Sequence, residues 1–547
     1  MRTEQVDRLA GRVPAVPAAL AGAALLVAGS LAPWATFAGF AGKMSLGGFP
    51  GGARLSTLLL AASVVLAMVP VAGRRRAGTT AALGAVAVAA YNVVAIAGEG
   101  GGLGGVAFGA WLAVVGGVVL LVGLRALPPD TPLPTEWPRL PVVAEQVLVA
   151  AVVAAVLFLV VWGLGIDESS RFVSWVIFLI AASVAVSRLG LFTWLEHLFQ
   201  RHRSVALAAA AVAAVVFPFT QGGDAYWLRV FASIGVFAVA AIGLNIVVGL
   251  AGLLDLGYVA FFGVGAYVGA LFANASLTTT HIHLPFLLVV VLGATIASLF
   301  GLVIGAPTLR LRGDYLAIVT LGFGEIFRIT VNNWDGLTQG PNGIAGIDNL
   351  ALGGFNFGES HQIIGVSLPA FANYFFVELV LVAAAIVVFT RLNTSRVGRA
   401  WVAIREDEVA AAAMGVDTVR YKLLAFAIGS FLAGAAGTVN AHVTTQVSPD
   451  SYTFLESILL VAAVVLGGMG GVQGALLGSV ALFVLPEKLR AFQDKRLLLF
   501  GIALILMMRF RPEGILAVRR RQQELRDDTE GGADATGAPP GTAMAQS

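Results

Sequence analysis

Apolar runs recur along almost the whole chain, and each is about as long as a membrane is thick. Spanning a hydrocarbon core of roughly 30 Å takes about 20 apolar residues in a helix. Runs of this kind fall near 14–33, 55–72, 79–97, 103–124, 142–165, 172–187, 204–219 and 229–250. More follow near 257–275, 284–305, 314–331, 368–390, 422–440, 455–468, 471–486 and 497–509. Composition agrees: 58% of the 547 residues are hydrophobic and only 12% are charged, against about 25% charged in soluble domains. Too little polar surface is left to cover a water-facing particle, so lipid is the solvent. The expectation is an all-α polytopic transmembrane bundle of about 13–16 spans. The short runs near 455–486 read as half-helices or a re-entrant pair. The stretch from Val13 to Pro33 lacks a small-residue cleavage site, so it reads as a retained first helix and not a removable signal.

Basic residues beside short loops orient such a bundle. Arg2, Arg8 and Arg12 precede the first run, and Arg74, Arg75 and Arg76 follow the second. Arg125 and Arg139, Arg201 and Arg203, Arg310 and Arg312, then Arg391, Arg396 and Arg399 follow the fourth, sixth, tenth and twelfth. Arg519, Arg520 and Arg521 follow the last, so both termini are expected in the cytoplasm of a plasma-membrane protein. Lys488, Arg490, Lys495 and Arg496 disagree with this count, diluted by Glu487 and Asp494.

Residues 1–125 read as a four-span module. Residues 126–141 hold Pro128, Pro129, Pro132, Pro134, Pro138 and Pro141, a semi-rigid extended linker. Further spans over 142–228 lead into a core at 229–516, and the polar tail 517–547 cannot bury a core.

Four segments carry the chemistry. The first, 243–267, repeats glycine within apolar sequence and includes Asn245, Gly249, Gly252, Asp255 and Gly257. Such glycines either let helices approach closely or mark a broken membrane helix. A lone carboxylate at mid-membrane costs about 2.5–3.5 kcal/mol, so Asp255 should face protein or water. A second Gly-broken segment holds Gly467, Gly468, Gly470 and Gly471. Paired interruptions in two halves of a transporter point to the translocation path. Glu325 and Arg328 lie three apart, neighbours on one helical face. Two unpaired charges would cost roughly 5–7 kcal/mol at the bilayer centre, so they form an ion pair or lie near an interface. A structural pair is the plainer reading and a substrate contact the sharper one. The fourth segment, 391–422, is polar and rich in helix formers, with Arg399, Arg405, Glu406, Asp407, Glu408 and Gly415. It reads as a short amphipathic helix between two spans, either solvated or docked in a groove of a soluble partner.

Other functions find less support. Without cysteine there is no disulfide and no thiolate metal site. The six histidines are scattered, and His281-x-His283 reads as polar loop. No G-x-S-x-G, H-E-x-x-H or Walker A pattern occurs, so catalysis and ATP hydrolysis are not expected of this chain, and neither a cofactor nor a metal is. A net charge of +3 points to no nucleic acid. An ion-coupled carrier remains an alternative, though Asp255, Glu325 and Glu378 are few intramembrane carboxylates for one.

The stretches GLNIVVGLAGLLDLGYVAFFGVGAY, RLRGDYLAIVTLGFGEIFRITVNNWDGLTQGPNGI, SRVGRAWVAIREDEVAAAAMGV, VVLGGMGG and RFRPEGIL occur in this order over about 229–516. The sequence there resembles the permeases of branched-chain amino acid ABC importers, the LivM family. The resemblance implies a pore subunit paired with a second, LivH-like permease, two cytoplasmic ATPases that use the ATP, and an extracytoplasmic substrate-binding protein. It further implies that a cytoplasmic E-A-A…G loop docks on the ATPase, here Glu408 to Gly415. Val409 stands where the pattern has an acidic residue. Leucine, isoleucine and valine are the expected substrates, with urea, short amides or other amino acids as alternatives. Residues 1–125 lie outside the resemblance.

Overall fold

A computed structural model describes residues 14–36, 53–69, 71–99, 102–131, 140–166, 168–221, 225–273, 284–308, 314–352, 354–363 and 365–488, with isolated positions between 498 and 514. Residues 132–139 of the expected linker at 126–141, Arg310 and Arg312, most of the last crossing near 497–509 and the tail therefore lie outside the described residues. The protein is all-α. Among the described residues, eleven helices are long and apolar enough to cross a membrane, and three shorter apolar helices accompany them.

The chain divides into two compact units, residues 1–220 and 221–547. The first holds α1 (Ala15–Leu31), α2 (Ala53–Ala61), α3 (Arg74–Glu99), α4 (Phe108–Arg125), α5 (Val142–Leu164), α6 (Ser169–Arg188), α7 (Leu191–Arg201) and α8 (Arg203–Thr220). In α4 glycine recurs every seventh residue, at Gly109, Gly116 and Gly123, and all three face the backbone of α1 and the residues just after it. Small residues at that spacing let two helices touch backbone to backbone, the main source of attraction between helices in lipid. Several polar groups in this unit are paired, whereas the buried hydroxyls of Ser56 and Ser63 have no hydrogen-bond partner among the described residues. Arg54 donates to the Ser30 carbonyl, where α1 has run out of internal partners, and Ser30 Oγ lies 2.8 Å from Thr57 Oγ1. Asn92 of α3 donates to Ser174 of α6 at 2.8 Å. Ala181 and Ala185 of α6 belong to the same apolar core as α1 to α4, so this unit extends beyond the first four spans. Helix α7, not anticipated from span counting, ends at a cluster in which Glu145 of α5 meets Arg201 at 3.2 Å and His202 at 2.8 Å.

The second unit holds α9 (Ala225–Asn245), α10 (Val259–Ala273), α11 (Phe286–Thr308), α12 (Asp314–Asn333), α13 (Ala370–Thr394), α14 (Arg396–Glu406), α15 (Glu408–Ala413), α16 (Thr418–Thr444), α17 (Phe454–Gly467) and α18 (Val472–Lys488). Helix α16 is its axis. Gly434 meets Ala297 of α11, Gly437 meets the Phe262 carbonyl of α10, and Thr438 Oγ1 donates to the Gly265 carbonyl at 2.9 Å. Helix α10, apolar all round, is buried on every face from Val259 to Ala270, as such a helix must be. Between α12 and α13 a small lobe carries β1 (Ile344–Ala345), β2 (Ala351–Leu352), β3 (Phe355–Asn356), β4 (His361–Ile363) and β5 (Val366–Leu368). Strand β1 pairs antiparallel with β6 (Gln446–Val447) just past α16, and His442 Nδ1 lies 3.0 Å from the Asp348 carbonyl. This lobe and the end of α16 are thus one structure.

Candidate functional site

The first Gly-broken segment interrupts a helix. After Asn245 the backbone widens into a π turn over Ile246–Leu250 and then leaves helical geometry until α10. Single π turns inside α-helices often sit at functional sites. The second break, Gly468 to Gly471, lies between α17 and α18, helices of 14 and 17 residues; with the turn before it, α17 belongs to the candidate span Pro449–Gly467.

Asn245, fully buried, joins the two breaks. Its Oδ1 accepts from the Gly470 N–H at 2.8 Å, and its Nδ2 donates to the Gly471 carbonyl at 2.9 Å. Gly249 sits where a Cβ would collide with Asn245 Oδ1 and the Gly470 nitrogen. Gly470 has φ +83°, which favours glycine. Gly468 backs onto Gly514 of the RFRPEGIL stretch, and Gly467 packs on Gly474 of α18.

Asp255 is also fully buried, yet it serves its own backbone: Oδ1 accepts from the Gly257 N–H at 2.9 Å. The adjacent Leu256 N–H donates to Thr320 Oγ1 at 3.0 Å, and Gly257 lies against the Thr320 carbonyl. Carboxylates that bond their own chain two residues on shape turns. The N-terminus of α10 receives a further partner, the Ser457 hydroxyl of α17, which accepts from the Val259 N–H at 3.1 Å. Glu378 of α13 is buried against Gly235 of α9, away from these breaks.

The polar loop 391–422 reaches the first break directly. Arg405 Nη1 donates to the Gly249 carbonyl, inside the π turn, at 2.9 Å. Its aliphatic part lies over Gly252 (φ +70°), leaving no room for a side chain there. Nη2 of Arg405 holds Glu406 at 2.7 Å. The single helix expected here is two. Asp407 takes extended backbone (φ −154°), ends α14, and caps α15 by accepting from the Val409 and Ala410 N–H groups at 2.8 and 3.0 Å. Ser395 caps α14 and Asp417 caps α16 in the same way. Gly415 (φ +85°) closes α15, with the Val416 N–H donating to the Ala411 carbonyl at 3.0 Å. Trp401 is fully buried and donates to the Tyr421 carbonyl at 2.7 Å, which ties α14 to α16. Glu408 pairs with the buried Lys422 of α16 at 2.5 Å. Arg399 stays at the surface and donates to the Thr394 carbonyl at 3.2 Å.

The outer face of this braced loop is apolar. Met414 is 86% exposed and Val409 63%. Met and Val standing free at a helix end suit a partner's groove better than water.

Glu325 and Arg328 are set apart from the breaks. Arg328 Nε lies 3.1 Å from both oxygens of Glu325, and Nη2 bonds the same carboxylate. The signals for Asn245, Asp255 and the glycines were in the sequence. Thr320, Ser457, Lys422 and Gly514 gave none, because an isolated hydroxyl, lysine or glycine has no pattern until the chain brings its partner near.

The family described as branched-chain amino acid transport system / permease component matches residues 225–508. The high-affinity branched-chain amino acid transport system permease protein LivM of Salmonella typhimurium is 40% identical over 343 residues, 60% of this chain and 78% of that protein. LivH of the same organism is 29% identical over 286 residues, 51% of this chain and 91% of that protein. The probable LivM of Methanocaldococcus jannaschii is 25% identical over half of this chain and 83% of its own length. No solved structure matches. With both breaks and the braced loop inside or beside the matched region, the chain belongs to the family of branched-chain amino acid transport permeases.

Proposed function

We propose that this chain is one permease subunit of an ATP-driven importer that carries leucine, isoleucine and valine across the plasma membrane. One observation carries the reading above the others. A cytoplasmic loop that is rigid within itself and apolar on its outer face holds the π turn at the first break through Arg405 and Gly249. Movement of α14 and α15 therefore pulls on the break, and the Asn245 bonds pass it to the second break. The energy source is a pair of separate ATPase subunits seated on Val409 and Met414. The second permease is a LivH-like chain, consistent with LivH relatives that match half of this one. An extracytoplasmic binding protein delivers substrate to the β-hairpin lobe, and both termini lie in the cytoplasm.

The test is uptake of labelled leucine and urea by the assembled transporter in proteoliposomes, with residues 399–415 intact or replaced by a Gly/Ser linker. ATP-dependent leucine uptake by the intact loop, and its loss with the linker, is the expected result. Uptake that survives the linker rules out the coupling role, and uptake of urea alone rules out the substrate.

A further inference from the structure

We propose that Glu325 and Arg328 line the translocation path and hold the charged head of a passing α-amino acid, its carboxylate at Arg328 and its ammonium at Glu325. The inference rests on the permease reading above and adds to it a substrate contact.

Helix α12 has two faces. Leu316, Ala317, Thr320, Phe327 and Val331 are buried, with Phe327 lying against Gly263 and 6.2 Å from the Tyr452 ring. The opposite stripe is open: Tyr315, Ile318, Val319, Ile326 and Ile329 are all exposed. Glu325 continues that stripe, seven residues after Ile318 and four before Ile329, and helical side chains at those spacings share a face. Its side chain is 41% exposed and that of Arg328 30%.

The depth of the pair decides what the stripe can meet. At 1.5 Å per residue, Glu325 stands about 15 Å from Tyr315 and about 12 Å from Asn333, near the middle of the span. Charged groups at that depth face a bundle interior or a water-filled cavity and not acyl chains. Arg328 does not run toward the nearer end of the helix to reach water. It folds back on Glu325 through Nε and Nη2. The open face of α12 therefore looks onto a wet interior that this chain alone does not close.

The pair also has bonding capacity left. A guanidinium carries five N–H donors, and among the described residues Nη1 of Arg328 makes no hydrogen bond. An amino-acid head offers what the pair lacks, an acceptor carboxylate and a donor ammonium on one carbon. The pair has no net charge of its own and the Asp450 carboxylate also acts on Arg328, so the site disfavours a simple anion and suits a head that carries an ammonium beside its carboxylate. Ile318, Ile326 and Ile329 beside it suit an aliphatic side chain.

The native chain has no cysteine, so single cysteines report the environment of this face. In the assembled transporter, Ile326→Cys and Ile329→Cys should react with a water-soluble, membrane-impermeant methanethiosulfonate, and labelling should slow leucine uptake. Leu299→Cys and Val303→Cys on the exposed side of α11 are the comparison and should not react. Glu325→Gln and Arg328→Gln should each lower leucine uptake at least tenfold while ATP hydrolysis and assembly persist. The charge-swapped double variant, Glu325→Arg with Arg328→Glu, should recover thermal stability without recovering uptake. Full uptake in the swapped variant, or reaction of Ile326→Cys only with a lipid-soluble maleimide, overturns the inference and leaves the permease reading intact. A wild-type transporter that moves no amino acid overturns both.

Discussion

At Asn245 a carboxamide uses both of its functions on one partner segment, accepting from Gly470 and donating to Gly471. Replacement by Ala leaves those two groups unpaired in a buried place, a loss of about 1–3 kcal/mol. The detergent-solubilised Asn245→Ala protein should therefore melt at lower temperature than wild type, and Asn245→Asp, which cannot donate, should not restore it. An unchanged melting temperature for both would show that the breaks are held by packing alone. The sequence marks Asn245 through the glycines around it, and it marks Gly470 through a second glycine cluster 225 residues later. That the two meet is not legible there, because contact at such separation leaves no periodicity. Asp255 shows a second limit: a carboxylate in a membrane break marks a candidate for the translocation path, but that one of its oxygens also closes a turn onto the Gly257 N–H is visible only in the folded chain.

At the scale of elements, the loop between α13 and α16 is the part whose composition was readable and whose form was not. Its mixture of charges and alanines suggests one amphipathic helix, but Asp407 is a better cap than a helix interior residue, and two helices result. Loss of this cap in Asp407→Ala should cost about 1 kcal/mol and fray α15. Protease cleavage within 407–415 should then quicken, and stimulation of the ATPase by loaded binding protein should fall while the complex still assembles. Trp401→Ala removes the fully buried anchor of α14, with an expected loss of about 3–5 kcal/mol, and should weaken binding of the ATPase subunits in co-purification. Retained binding with normal stimulation in both variants would show that the loop needs no bracing. The spans themselves were legible because lipid demands long apolar runs. Helix α7 was not, since an eleven-residue amphipathic helix at the end of longer spans fails every length criterion for a crossing.

Each of the two compact units holds an apolar core of its own. The family match covers 225–508, within the second unit, while the first unit builds its own core from the α1–α4 glycine contacts. Gly116→Leu, which drives a side chain into the α1 backbone, should destabilise the first unit and speed proteolysis within residues 1–220, with leucine uptake kept within about twofold. Loss of uptake would give that unit a part in transport. In the second unit, the Arg405 bond to Gly249 is the proposed route by which ATP-driven change would reach the broken helices. The most direct measurement is leucine uptake and ATP hydrolysis, side by side, in proteoliposomes of the complete transporter carrying wild-type chain or Arg405→Gln. Hydrolysis that continues while uptake falls at least tenfold is expected, and uptake equal to wild type would show that Arg405 does not couple the loop to the break.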